Sequence, residues 1–136
     1  AVLDLFAGTG SISLEFLSRG SASVTSVEMD AMHASHLKKT ATLLGDTAWS
    51  VVRDDVFRYI RRSPASYDIV FADPPYALEG LPTLPDIVFD REVLTDDGIF
   101  ILEHPGEFSF EEHPHFWQHR SYGKVNFTFF ANKLDE

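Results

Sequence analysis

Short apolar runs alternate with stretches of helical period along the whole chain, the pattern of a doubly wound α/β sheet. Ala1 to Leu5 reads as a first strand ending in the glycine turn Phe6-Ala7-Gly8-Thr9-Gly10. Ile12, Leu14, Phe16 and Leu17 then mark a short helix that stops near Gly20. A second strand, Val24 to Val27, closes on Glu28-Met29-Asp30. Residues 31–44 predict a helix with Leu37, Ala41 and Leu44 on its apolar face, stopped at Gly45. Trp49 to Val52 is a third strand, followed by Asp54-Asp55 and a helix through Val56, Tyr59 and Ile60 that Ser63-Pro64 breaks. A fourth strand, Tyr67 to Ala72, runs into Asp73-Pro74-Pro75-Tyr76, where the prolines must take the chain out of the sheet. A helix is expected from Leu84 to Leu94, then a turn at Asp97-Gly98 into a fifth strand, Ile99 to Glu103. Phe116 to Tyr122 and Val125 to Ala131, separated by Gly123, read as an antiparallel hairpin.

In an open parallel sheet, ligands sit beyond the carboxyl ends of the strands. The first four strands here all end in residues suited to that task. Gly8 and Gly10 let the backbone turn tightly and approach a ligand, with a helix N-terminus behind them. A dinucleotide site would want glycine at position 13, where Ser13 stands. Glu28 can accept hydrogen bonds from the two hydroxyls of an adenosine ribose, or be a solvated surface carboxylate. Met29 can pack on an adenine face or belong to the core. Asp55, rather than Asp54, can accept from the adenine amino group beside Val56, or simply cap the following helix.

The fourth strand end is the most specific. An amino nitrogen on an aromatic ring is a poor nucleophile, because its lone pair is delocalised. Acceptors from Asp73 and the Pro74 carbonyl can hold both of its N–H groups, Pro75 stiffens the corner, and Tyr76 offers a face for stacking.

Length and composition narrow the reading. A chain of 136 residues suits one domain spanning residues 1–136, and no apolar run is long enough to span a bilayer. The chain opens inside an apparent strand without an initiator Met, so a further N-terminal segment is expected ahead of it. Cysteine is absent, which excludes disulfides and thiolate metal sites and suits a reducing cytoplasm. His104, His113, His115 and His119 read as surface histidines and not as a metal site. The net charge of −10 runs against RNA binding, for which only local groups such as Lys38-Lys39, Arg58 with Arg61-Arg62, and Arg120 with Lys124 are at hand.

Asp4-x-Phe6-x-Gly8-x-Gly10 followed by Asp73-Pro74-Pro75-Tyr76 resembles the class I methyltransferases that modify amino nitrogens. Within them, Val2 to Ser11, the stretch Phe71 to Tyr76 and the late Tyr122-Gly123 look like the bacterial small-subunit ribosomal RNA guanine-N2 methyltransferase family, over nearly the whole chain. That resemblance implies a Rossmann-like, mostly parallel sheet of seven strands in the order 3-2-1-4-5-7-6. It implies S-adenosylmethionine as cofactor, with Asp4, Phe6, Ala7, Gly8, Gly10, Glu28, Met29, Asp55 and Val56 around it and Asp73 to Tyr76 forming the amino-group pocket. Guanine N2 in 16S ribosomal RNA, free or in a small-subunit assembly particle, is the implied target of a monomeric enzyme without metal. Three other readings stand beside it: a DNA adenine-N6 or cytosine-N4 methyltransferase, a non-catalytic cofactor-binding domain, and a nucleotide-dependent oxidoreductase, which Ser13 disfavours.

Overall fold

The structure is a computed structural model that describes residues 1–45, 47–63 and 65–133. Strands β1 (Val2–Leu5), β2 (Val24–Val27), β3 (Trp49–Val52) and β4 (Tyr67–Ala72) are parallel. Strand β5 (Leu94–His104) runs parallel to β4, and the hairpin β6 (Phe116–Tyr122) and β7 (Val125–Ala131) adds antiparallel to it. The order is β3-β2-β1-β4-β5-β7-β6, the arrangement expected of a class I methyltransferase.

Helices α1 (Ser11–Ser18), α2 (Ala31–Leu44), α3 (Val56–Arg62) and α4 (Leu84–Asp90) connect the strands. Alternating strand residues feed two apolar cores. Leu3, Leu5, Val27 and Val70 join α3 and α4 residues such as Ile60 and Val88 in the larger core. Val2, Val24 and Trp49 meet Leu37 of α2 and, at its margin, Phe16 and Leu17 of α1 in the smaller. Among the described residues no helix is long and apolar enough to cross a membrane.

Three local expectations need correction. The fourth helix ends at Asp90, and Leu94 already pairs with Tyr67 as the first residue of β5. Between the pairs Tyr67↔Leu94 and Ile69↔Ile99 the register shifts, so Asp97-Gly98 is a bulge within a strand and not the turn before one. Leu44 is exposed; the inner face of α2 is Ala34 and Leu37, with Ala41 half-buried. In α1, Ile12 and Leu14 are partly exposed while Ser13 is fully buried. Ser63 ends α3 in extended backbone; Pro64, expected to break that helix, lies outside the described residues.

Ser13 is inside because it closes a polar chain through the smaller core. Trp49 Nε1–H donates to Ser26 Oγ at 2.8 Å, the Ser26 and Ser13 hydroxyls meet at 2.6 Å, and Ser13 Oγ donates to Asp4 Oδ2 at 2.6 Å. Each hydroxyl has one proton. Ser13 gives its proton to Asp4, so Ser26 must donate to Ser13. Burial, opposed by the bonds from Ser13 and assisted by the charges of Asp73 and Glu28, pushes the Asp4 carboxyl up to about 6.

Gly10 completes the packing between α1, α2 and β3. Its φ is +84°, and a Cβ there would lie 2.5 Å from Leu37 Cδ2 with the Trp49 ring at 3.4 Å behind it. Gly10→Ala is therefore expected to destabilise the domain by about 2 kcal/mol in urea unfolding. Asp4 gives a pH signature. Its folded value lies above the ordinary 3.8, so the folded chain binds the extra proton and loses stability as pH rises from about 4 to about 6. Relative to wild type, Asp4→Asn should gain on the order of 2–3 kcal/mol across that window and nothing further above it; equal slopes for the two proteins would refute the assignment.

Candidate active site

The parallel registers align the strand ends. Val52, Val27, Leu5, Ala72 and Leu102 lie in one row across the sheet. The next residue on each strand, in the same order, is Arg53, Glu28, Phe6, Asp73 and Glu103. Backbone bonds carry the alignment into the loops. Ala7 N–H donates to the Val27 carbonyl, Glu28 N–H to that of Val52, and Asp54 N–H to that of Glu28.

Beyond this row lies a cleft of about 570 Å³, within the range of small-molecule sites. Of the residues expected at the site, Phe6, Gly8, Glu28, Met29, Asp55, Val56, Asp73, Pro74, Pro75 and Tyr76 line it. Asp4, Ala7 and Gly10 do not. Asp4 is buried beneath the loop in the polar chain, Ala7 is at the edge of the smaller core, and Gly10 turns against Leu37. Their place is under the cleft, where they shape the loop.

Glu28 is held by two backbone donors. Gly8 N–H reaches Oε1 and Asp30 N–H reaches Oε2, each at 2.8 Å. Both oxygens are thereby fixed in direction, yet each keeps a lone pair to accept a further hydrogen bond. Phe6 enters the loop with φ +58°, a left-handed conformation costly for a bulky residue, and it lines the cleft while packing against the larger core. Of the two readings of Asp55, the helix cap is present. Asp55 caps α3, accepting from Arg58 N–H through Oδ1 at 3.1 Å, and it also lines the cleft. Asp54 is turned away, taking Asp55 N–H at 2.8 Å and lying 3.7 Å from the Arg58 guanidinium.

The acidic-proline corner closes the other side of the cleft. Pro74 is buried, while Asp73, Pro75 and Tyr76 are exposed, and the Pro75 carbonyl accepts from Leu78 N–H at 2.9 Å to hold the turn. Tyr76, 45% exposed, directs its hydroxyl to Glu103 Oε2 at 3.5 Å. Partial burial, then the charges of Glu103 and Asp73, raise its phenol above the ordinary range.

Several contributors escaped the sequence reading. His33, Phe57 and Leu78 line the cleft from the first turns of α2 and α3 and from the loop after Tyr76. The two helical ones could have been found, because the first helical turn after a strand end faces the same crevice. The histidines also differ from expectation. His104 is buried, with Nε2 2.7 Å from Thr128 Oγ1 and Nδ1 2.8 Å from the Pro105 carbonyl; burial holds its imidazole below the ordinary value. His115 is half-buried and stacks on Phe89, and His113 pairs with Asp86; of the four, His119 alone is exposed.

The lining combines apolar Phe6, Met29, Val56 and Phe57 with the carboxylates Glu28, Asp55 and Asp73, and so suits a flat apolar ring that carries hydroxyls and a positive charge. That combination matches the adenosine and sulfonium of S-adenosylmethionine.

Comparison with known proteins agrees with this geometry. The chain is 34% identical over 102 residues to ribosomal RNA small subunit methyltransferase D of Escherichia coli K12, covering 74% of this chain and 51% of that protein. It is 31% identical over 114 residues to YlbH of Bacillus subtilis, covering 81% and 62%. The chain thus spans about half the length of the E. coli relative. The solved structure of E. coli yhhF superposes with a TM-score of 0.86 at 26% identity, covering 98% of this chain and 76% of that one. More distant neighbours share the fold, among them SMU.776, solved in complex with SAH, at a TM-score of 0.73 and 19% identity. With a match over residues 1–131 to the model of the family described as Conserved hypothetical protein 95, the chain belongs to that family, which is the family of the small-subunit ribosomal RNA methyltransferase D proteins.

Proposed function

We propose that this chain is the catalytic domain of an S-adenosylmethionine-dependent methyltransferase acting on the exocyclic N2 of a guanine in 16S ribosomal RNA. The observation that carries the reading is the placement of Asp73 to Tyr76 on the same cleft as Gly8 and Glu28. Substrate identity draws on the relatives whose names specify ribosomal RNA of the small subunit.

When bound, S-adenosylmethionine supplies a methyl carbon activated by a positively charged sulfur. Glu28, oriented by Gly8 and Asp30, receives the ribose hydroxyls, and Asp55 takes the adenine amino group with its oxygen not used in capping. At the other end Asp73 and the Pro74 carbonyl accept the two N–H bonds of the target amine. Held in this way, the nitrogen directs its lone pair toward the methyl carbon. Most of the acceleration comes from that positioning and from acceptors aimed where positive charge grows on nitrogen. Tyr76 stacks on the guanine ring. This chain spans about half of the E. coli relative, and at a net charge of −10 it offers RNA phosphates local basic groups such as Lys38-Lys39 and Arg58 with Arg61-Arg62.

The protein carrying this domain is expected to transfer labelled methyl groups to 16S RNA or small-subunit particles from cells lacking the modification, and not to plasmid DNA. Transfer to DNA alone would overturn the substrate, and no transfer to any nucleic acid would leave a binding domain. Asp73→Ala should lower kcat by roughly 10²–10³-fold while S-adenosylhomocysteine affinity, read by calorimetry, changes less than about threefold. Wild-type turnover in that variant would remove Asp73 from the mechanism.

A further inference from the structure

The fifth strand end carries a carboxylate with no part in the scheme above. Ala72 and Leu102 are register partners on adjacent parallel strands, so Asp73, the first residue beyond β4, lies beside Glu103, which is still paired within β5. Tyr76, the last residue of the acidic-proline corner, turns its hydroxyl toward Glu103 Oε2. Two carboxylates can share a hydrogen bond only when one holds a proton, and neighbouring like charges favour a single shared proton.

We propose that Glu103 is the proton-carrying positioning partner of Asp73: its protonated carboxyl donates a hydrogen bond to the Asp73 carboxylate and fixes it against the target amine. This rests on the amino-methyltransferase reading and adds a residue to it. Asp73 then has one oxygen held by Glu103 and the other directed at the substrate. As the nitrogen lone pair forms the N–C bond, the C–S pair stays with sulfur. Asp73 takes the proton the nitrogen sheds, the pair briefly holds two protons, and one returns to solvent.

The surroundings of Glu103 agree. Burial comes first, followed by a hydrogen bond to Asp73 and the charge of Asp73, and together they push its carboxyl up to about 7 against the opposing contact from Tyr76. The groups facing it are Asp73 and Tyr76 from the loop after β4. On β7 its register partner is Phe127, which does not titrate. Its neighbour on β5, His104, is occupied with Thr128 and the Pro105 carbonyl. No Lys or Arg among the described residues forms an ion pair with it.

The pair can be tested with and without turnover. In wild-type protein free of substrate, carboxyl-carbon NMR should show one side-chain carboxyl titrating near pH 7 that disappears in Glu103→Gln. In the methyl-transfer assay, wild-type kcat should fall about tenfold per pH unit above that point. Glu103→Gln, a neutral donor at every pH, should lose this alkaline limb, and Glu103→Ala should lose it as well while running about tenfold below the wild-type rate at pH 6. Absence of a carboxyl titrating near 7, or an alkaline limb that persists unchanged in Glu103→Gln, overturns the pairing. Loss of turnover in the parent protein would instead overturn the functional reading, and the NMR titration would still decide the pair.

Discussion

The register of five parallel strands is the constraint on which everything else in this molecule depends. Val52, Val27, Leu5, Ala72 and Leu102 are locked in one row by main-chain hydrogen bonds, and the residue after each is delivered to the same line. A one-residue slip in any strand would exchange the residues that face the two cores and bring a different residue to the cleft. The apolar residues below the row thus position the carboxylates above it. Leu3, Leu5 and Val70 on one side and Val2 and Val24 on the other specify the pairing that brings Asp73 and Glu28 to one cleft.

This explains what could be read from the sequence. Strand ends and the Asp73-Pro74-Pro75-Tyr76 corner were legible because period-two runs, glycines and prolines are local signals. Burial across layers was not. Asp4 looks like a cofactor contact by its place in the glycine motif, yet the contacts that occupy it come from Ser13 and, through it, from Ser26 and Trp49 far along the chain. Glu103 was read as a strand terminus only, because its meaning appears when β5 is laid beside β4. The start of β5 was obscured by a bulge that holds Asp96, Asp97 and Gly98, residues that normally announce a turn. His104 looked like a surface histidine because its partner, Thr128, is on a strand that follows it by more than twenty residues.

The acidity of the chain has a local meaning as well. Glu28, Asp55, Asp73 and Glu103 converge near a cleft with apolar walls, and Asp4 lies beneath them. The charges of Asp73 and Glu28 help raise the Asp4 carboxyl and that of Asp73 helps raise Glu103, and a cation entering the cleft relieves that repulsion. The site is built to be more comfortable with a positive guest than without one.

Phe6 shows where this arrangement resists improvement. A glycine in its place would adopt φ +58° without strain, the kind of exchange that tempts anyone seeking a hardier protein. It would also strip the aromatic wall from the cleft. The same side chain packs against the larger core, so a backbone tension of about 1 kcal/mol at the ligand threshold is offset by apolar contacts that a glycine would forfeit, and the wall is kept by stability as well as by its guest.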